Sequence, residues 1–128
     1  MRIEHTALYV QNLERARDFC ETYFHAEAGK QYQNAVTGFC SYFLTFPDGG
    51  GRLELMTRPG LNKCTAAAPL SGWAHIAVST GSREKVDAVT ARLKADGYRV
   101  VSGPRTTGDG YYESCVLDAE NNIWEICV

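Results

Sequence analysis

The strongest constraint on the fold is an internal repeat, because two copies of one short pattern require two similar modules. Residues 3–29 read IEHTALYVQNLERARDFCETYFHAEAG, and residues 73–97 read WAHIAVSTGSREKVDAVTARLKADG. Each copy opens with an apolar strand pattern that carries one histidine near its start, and a helical pattern follows. The chain is therefore predicted to contain two modules of the same design.

Capping residues set the bounds of the two predicted helices. The first helix is expected to begin near Asn12 and to end near Gly29, and the second to begin near Ser82 and to end at Gly97. Apolar residues at helical spacing give each helix one packing face. These residues are Leu13, Ala16, Phe19, Cys20 and Tyr23 in the first helix, and Val86, Val89 and Leu93 in the second.

A hairpin closes each module. Residues 41–56, SYFLTFPDGGGRLELM, and residues 111–128, YYESCVLDAENNIWEICV, each read as two strands joined by a turn. One further strand is expected before each hairpin, near residues 30–37 and 98–102. Each module then has the order βαβββ, and together they are expected to form one domain. The boundaries are module 1 at about 1–57, a Pro-, Gly- and Ala-rich linker at about 58–72 and module 2 at about 73–128.

Each module carries one histidine on its first strand and one glutamate on its last. Glu54 follows His5 by 49 residues, and Glu125 follows His75 by 50. Single residues of these types are usually structural, but the same pair at equivalent places in both modules indicates a shared role. Two imidazoles and two carboxylates suit a divalent first-row metal ion. A set without cysteine that leaves open positions favours catalysis or ligand binding over a closed structural site.

Alternation along the last strand of each hairpin predicts which side chains share a face. In RLELM, Arg52 shares the face of Glu54 and places a cation beside that carboxylate. In NIWEICV, the face of Glu125 holds the apolar Ile123 and Cys127, so this carboxylate needs another partner. A bound metal ion would supply the missing positive charge. Cys127 itself is expected to be an inert core residue rather than part of a cavity wall.

Charge and composition argue against several classes of partner. The chain has 128 residues and a formal net charge of -2, without a basic cluster or an apolar run of membrane-spanning length. We therefore expect neither a nucleic acid nor a membrane partner. The N-terminus begins directly on a strand pattern, and the five cysteines are odd in number and lack a C-x-x-C pair. These features predict a cytoplasmic protein with reduced thiols.

The order and spacing of HTALYV, RLELM, AHIAV and IWEI resemble the vicinal oxygen chelate superfamily, which includes glyoxalase I, bleomycin resistance proteins and dioxygenases. The resemblance covers essentially the whole chain. It implies an α+β fold in which two βαβββ modules form a half-open barrel, and it implies a homodimer. It also implies that a divalent metal ion, Ni²⁺ or Zn²⁺ with Co²⁺, Mn²⁺ or Fe²⁺ as further candidates, binds to His5, Glu54, His75 and Glu125.

Within the superfamily, the four-residue set is most similar to that of glyoxalase I, which is a lactoylglutathione lyase. This resemblance implies a small-molecule substrate, the hemithioacetal of glutathione and methylglyoxal, whose vicinal oxygens are chelated by the metal. It also implies a glutamate that moves a proton between the two carbons. Glu125 is the first candidate for this catalytic base, and Glu54 is the second.

The residues expected to contact substrate depart from the glyoxalase I pattern. At two positions where that enzyme holds glutathione, this chain has Tyr9 and Arg58. The segment GDGYYE lies where superfamily members often close their cavity, so Tyr111, Tyr112 and Glu113 are further candidates for substrate contact.

Other members of the superfamily provide the alternatives. An epimerase of the methylmalonyl-CoA type uses similar proton-transfer chemistry on a thioester. Thiol transferases of the fosfomycin-resistance type and extradiol dioxygenases use two histidines and one glutamate, so the carboxylate of Glu54 counts against them. Metal-free drug-binding resistance proteins lack the ligands, and the complete set in this chain counts against that class.

Overall fold

The computed structural model describes residues 3–62 and 72–128, and the chain divides into two compact units, Met1–Lys63 and Cys64–Val128. Residues 63–71, which include most of the predicted linker and Cys64, lie outside the described residues. The first unit contains β1 (His5–Tyr9), α1 (Leu13–Phe24), β2 (Glu27–Ala28), β3 (Tyr32–Gln33), β4 (Cys40–Thr45) and β5 (Arg52–Thr57). The second unit contains β6 (Ile76–Ser79), α2 (Arg83–Ala95), β7 (Arg99–Thr106), β8 (Tyr112–Leu117) and β9 (Ile123–Cys127).

In each unit the first strand pairs in parallel with the last. The sheet of the first unit has the order β1-β5-β4-β2, with β3 also paired to β4, and that of the second has the order β6-β9-β8-β7. The pairs β1–β5 and β6–β9 are parallel, whereas β4–β5 and β8–β9 are the antiparallel hairpins predicted from the sequence. Both units therefore repeat one topology, and both predicted hairpins are confirmed.

One face of each sheet packs against the helix of its own unit. In the first unit, Leu53 and Leu55 of β5 are buried beneath α1, and in the second, Trp124 and Ile126 of β9 are buried beneath α2. Burial of this apolar surface is the main stabilising contribution to each unit. Because side chains alternate along a strand, Glu54 and Glu125 lie on the opposite face, as predicted.

The two helices begin as predicted but only the second ends as predicted. The side chain of Asn12 accepts a hydrogen bond from the Arg15 N–H at 2.9 Å, and that of Ser82 accepts one from the Lys85 N–H at 3.3 Å. Helix α2 ends at Ala95, and Gly97 follows with a φ of 89°, a left-handed conformation that favours glycine. The second helix therefore has both predicted boundaries.

The first helix ends earlier than predicted. Helix α1 stops at Phe24, and His25 rather than Gly29 takes the left-handed conformation, with a φ of 55°. Gly29 already belongs to the edge of the sheet, where its N–H donates to the Phe43 carbonyl oxygen at 2.9 Å. Pairing of β2 with β4 begins at Glu27, and this tertiary contact ends the helix before the glycine is reached.

The strand expected near residues 30–37 is split into two short segments. β2 and β3 have two residues each, and both pair with β4. The amide oxygen of Asn34 accepts hydrogen bonds from the N–H groups of Val36 and Thr37, which turns the chain at this point. In the second unit the corresponding strand is longer than predicted, because β7 continues to Thr106.

Asp118 organises the turn that leads into β9. One carboxylate oxygen accepts hydrogen bonds from the N–H groups of Glu120 and Asn122, at 2.8 and 2.9 Å. The other accepts from the Asn122 amide at 2.9 Å and from the indole N–H of Trp124 at 3.1 Å. Since Trp124 is 1% exposed, the carboxylate also satisfies a buried donor. The turn and the core beneath α2 thus depend on one side chain.

We predict that Asp118→Ala lowers the free energy of unfolding by about 2–4 kcal/mol. The substitution removes the carboxylate that accepts from the buried Trp124 N–H, together with several other charge-assisted hydrogen bonds. Asp48→Ala, in the exposed hairpin turn of the first unit, is the matched control, with an expected effect within about 0.5 kcal/mol. Urea unfolding of both variants measures the difference. Equal losses of stability would contradict the role assigned to Asp118.

Candidate metal site

The parallel strand pair of each unit brings one histidine next to one glutamate. In the first unit, the Nε2 atom of His5 lies 3.9 Å from Oε2 of Glu54. In the second, Nε2 of His75 lies 3.4 Å from Oε2 of Glu125. We refer to these two arrangements as the His–Glu pairs.

The two His–Glu pairs have the same strand register. Glu54 lies opposite Ala7, two residues after His5, and Glu125 lies opposite Ala77, two residues after His75. The side chains of the glutamates are 16% and 18% exposed, and those of the histidines are 39% and 41% exposed. The alanine beside each glutamate leaves the histidine room to reach the carboxylate. The repeat in the sequence is thus a repeat of local geometry.

Arg52 does not neutralise Glu54 in the way that the alternation pattern suggested. Its Nε atom donates to a carboxylate oxygen of Glu4 at 2.9 Å, and its guanidinium lies 4.3 Å from the centre of the Phe43 ring. The Arg52 cation is therefore directed to Glu4, while Glu54 faces His5. The expectation that Arg52 places its cation beside Glu54 was wrong, since Arg52 pairs with Glu4. The two glutamates have nearly equal exposure.

Glu4 also fixes the orientation of His5. Nδ1 of His5 lies 2.5 Å from Oε2 of Glu4, and hydrogen bonds from His5 and then from Arg52 lower the pKa of Glu4. An ionised carboxylate only accepts hydrogen bonds, so the Nδ1 atom carries the hydrogen. In the neutral imidazole, Nε2 then presents a lone pair toward Glu54. A carboxylate that holds the far nitrogen of a histidine is a frequent arrangement around metal ligands.

The donor atoms of both pairs fit a divalent metal ion. Two ligand atoms that each lie about 2.1 Å from one ion are roughly 3.0–3.4 Å apart. The His75–Glu125 pair has this spacing, and the His5–Glu54 pair at 3.9 Å is slightly wider. A divalent cation placed between the two groups of a pair would be attracted to the carboxylate and to a neutral imidazole nitrogen. The residues present therefore suit the metal that the sequence predicted.

The face around Glu125 contains a feature that the sequence analysis missed. Cys115 of β8 lies directly opposite Glu125, and Glu113 lies opposite Cys127. Donor atoms of Glu113, Cys115 and Glu125 all lie within 4.8 Å of one another. Alternation along YESCVL, with Ser114 and Val116 buried, would have placed Glu113 and Cys115 on one face. Cys127 is half-buried on that face and is not a core residue.

A register shift in β7 places two further residues beside Cys115 and Glu113. The register of β7 against β8 shifts between Ser102 and Arg105, which brings Ser102 opposite Cys115 and Arg105 opposite Glu113. Gly103 lies within the shift with a φ of 78°, and a Cβ atom there would collide with the carbonyl oxygen of Glu113. Glycine is therefore required where β7 approaches β8.

Two thiols on this face are held in the protonated form. Burial raises the pKa of Cys115, with a hydrogen bond to Ser102 acting in the opposite direction and the charges of Glu125 and Glu113 adding to the rise. Burial also raises the pKa of Cys127, and the same two carboxylates add to it. Without a bound cation, both thiols are therefore poor nucleophiles near neutral pH.

The residues predicted to contact substrate fall into two groups. Tyr9 lies on the same face of β1 as His5, and the guanidinium of Arg58 lies 5.6 Å from the centre of its ring. The structure thus brings the first two candidates together. Tyr9 is 45% exposed and is therefore accessible at the surface. They form one end of the face that carries the first His–Glu pair.

The three candidates at the start of the last hairpin have different surroundings. Only Glu113 shares the face of Glu125, and its side chain is 12% exposed. The hydroxyl of Tyr112 instead donates to Asp87 of α2 at 2.7 Å, which ties this side chain to the helix side of the sheet. Tyr111 precedes β8 and is 60% exposed. The alternation of side chains separates Tyr112 from the His–Glu face.

The chain belongs to the Glyoxalase/Bleomycin resistance protein/Dioxygenase superfamily, whose family profile matches residues 2–126. The predicted α+β class and the glyoxalase/bleomycin resistance fold are confirmed by this match and by solved structures. None of the helices in residues 3–62 and 72–128 has the length and apolar character to cross a membrane.

Several known proteins are similar to this chain in sequence or in structure. Uncharacterized protein YqjT of Bacillus subtilis (strain 168) is 29% identical over 117 residues, covering 86% of this chain and 85% of that protein. Glyoxalase I of Leishmania major has a TM-score of 0.78 at 17% identity, covering 99% of this chain and 86% of that one. The fosfomycin resistance protein FosX of Listeria monocytogenes, in a complex with Mn(II), has a TM-score of 0.74 at 20% identity, covering 98% and 90%.

We predict that Glu125→Gln accelerates alkylation of Cys115 and Cys127 by iodoacetamide in chelator-treated protein. The substitution removes a negative charge that raises both pKa values, so more thiolate is present at neutral pH. In the parent protein, both rates should stay low until the pH exceeds the ordinary thiol pKa, because a raised pKa delays ionisation. Peptide-resolved mass spectrometry measures the rates, and Glu27→Gln on the exposed β2 is the control. Unchanged rates in Glu125→Gln would contradict the prediction.

Proposed function

We propose that this protein is a metal-dependent lyase of the glyoxalase I type that acts on the hemithioacetal of glutathione and methylglyoxal. The proposal rests on one observation: both units contain a His–Glu pair, and the strand register is the same in both. His5, Glu54, His75 and Glu125 are proposed to hold one divalent ion, Ni²⁺ or Zn²⁺ in the first place. The proposal includes a cytoplasmic homodimer, as the resemblance implies.

The bound ion would act as a Lewis acid that makes the substrate C–H group more acidic. Glu125 is proposed to take the proton from one carbon and to return it to the neighbouring carbon, with Glu54 as the second candidate. Its low exposure of 18% supports this role, because a carboxylate shielded from water transfers a proton directly to the substrate.

Tyr9 and Arg58 are proposed to bind the charged end of the substrate. The guanidinium of Arg58 provides a positive charge at the surface, and the Tyr9 ring beneath it limits the directions that the side chain can adopt. Glutathione adducts carry carboxylates, which an arginine binds through paired hydrogen bonds. These contacts would hold the substrate without taking part in proton transfer.

We expect Glu125→Gln to lower kcat by about 10²-fold or more at saturating Ni²⁺, since an amide cannot accept the proton. The assay follows conversion of the methylglyoxal–glutathione adduct after Ni²⁺, Co²⁺ or Zn²⁺ is added to metal-free protein. Metal analysis of the same samples shows whether the ion is retained, and Glu27→Gln controls for loss of a carboxylate away from the pair. Glu54→Gln, tested in parallel, identifies which glutamate is the base.

An inactive parent protein with all three ions would overturn the lyase proposal. If the purified protein also contained no metal and bound a drug-like ligand equally well as Glu125→Gln, a sequestering function would replace it. Loss of turnover with retention of metal supports an enzyme, whereas joint loss of metal and turnover assigns Glu125 mainly to metal binding.

Glu4 gives a separate test of the first His–Glu pair. The equivalent residue in the second unit is Ala74, so only His5 has a carboxylate of this kind. We predict that Glu4→Ala lowers the affinity for Zn²⁺ roughly tenfold, because Nδ1 of His5 loses the partner that orients the ring. Glu4→Gln, which keeps an acceptor, should restore part of the affinity. Titration calorimetry measures both variants, and equal affinity in Glu4→Ala and the parent would contradict the orienting role.

A further inference from the structure

We propose that Glu113, Cys115 and Glu125 form a second, thiolate-containing metal site within the second unit, which takes a borderline-soft divalent ion such as Zn²⁺ or Co²⁺. The site shares Glu125 with the proposed lyase centre but does not need His5 or Glu54. Because of these differences in ligands, the two proposals can be tested separately.

The first support is the convergence of three different donor atoms. One oxygen of each glutamate and the Sγ atom of Cys115 lie within 4.8 Å of one another, in a strand pair whose register is fixed by the buried residues of the opposite face. Coordination would bring each of these atoms to about 2.0–2.3 Å from the ion. The donors come from two paired strands, so the backbone already holds them on one surface.

The second support is an excess of negative charge at a poorly hydrated place. The side chains of Glu113 and Glu125 are 12% and 18% exposed, so two carboxylates of the same charge are gathered where water screens them little. Arg105 is the cation that approaches Glu113, but its Nη2 atom is 3.7 Å from the carboxylate oxygen and its side chain is 52% exposed. An ion pair of this length and exposure offsets little of the repulsion. A divalent cation would remove it.

The third support is the sulfur ligand, which defines the kind of ion. A thiolate with two carboxylates favours Zn²⁺, Co²⁺ or Ni²⁺ over Mn²⁺ or Mg²⁺, which prefer oxygen ligands. Binding forms a metal–sulfur bond, and the thiol proton is released to solvent in the same event. No change of oxidation state is required. The two thiols of this face are not equivalent, because Cys127 directs its Sγ atom toward the carbonyl oxygen of Val78, at 3.7 Å.

The test uses Co²⁺ as a spectroscopic probe of the full-length, metal-free protein. Coordination by a thiolate produces a sulfur-to-cobalt charge-transfer absorption in the near ultraviolet, which oxygen and nitrogen ligands do not produce. We expect this band in the parent protein, its complete loss in Cys115→Ser, and its retention in the matched control Cys127→Ser. Glu113→Gln should weaken Co²⁺ binding at least tenfold. Near-ultraviolet circular dichroism confirms that the variants are folded.

The lyase proposal and the thiolate site fail in different ways. Glu54→Gln and His5→Ala should keep the charge-transfer band, whether or not the protein turns over the hemithioacetal. Absence of the band in the parent protein, its survival in Cys115→Ser, or its loss in Cys127→Ser would overturn the thiolate site. Loss of the band in Glu54→Gln would also overturn it, because the ion would then depend on the first unit.

Discussion

Parallel pairing between the first and last strands of each unit is the constraint on which the candidate site depends. The two strands are about 50 residues apart in sequence, and only their pairing brings a histidine of one beside a glutamate of the other. A parallel connection must cross over the sheet, and in each unit a helix lies in this crossover. That helix also buries the opposite face of β5 and β9, so the position of each glutamate follows from the packing of its neighbours.

Local signals in the sequence were sufficient for much of this structure. Asn12, Ser82 and Gly97 act as caps because their effects are confined to one turn of helix. Alternation along RLELM and IWEIC predicted which side chains are buried, since a strand has a strict two-residue period. The exception at Gly29 has a tertiary cause, because pairing of Glu27 and Ala28 with β4 ended the helix before the glycine. The helix signal was overridden here because strand pairing involved the same residues.

The surroundings of the two glutamates could not be predicted from the alternation pattern alone. Arg52 shares the strand face of Glu54, yet its long side chain reaches Glu4, which directly precedes β1. The position of Cys115 opposite Glu125 depends on the register of the β8–β9 hairpin, and that register depends on the turn at Asp118. A one-residue shift would have placed Cys115 on the buried face. The face on which a side chain lies can therefore be predicted from the strand alone. Its partner on the neighbouring strand can be predicted only when the register is known.

The two units repeat the His–Glu pair but differ in what surrounds it. In the first unit, His5 contacts Glu4 and the Phe43 ring. The positive charge of Arg52 offsets the negative charge of Glu4. In the second, the residues around Glu125 are a carboxylate and a thiol, with Arg105 at the margin. The described surroundings of Glu125 are therefore more acidic than those of His5, which would favour a cation beside Glu125. This difference comes from β8, which places Cys115 opposite Glu125 and Glu113 opposite Cys127.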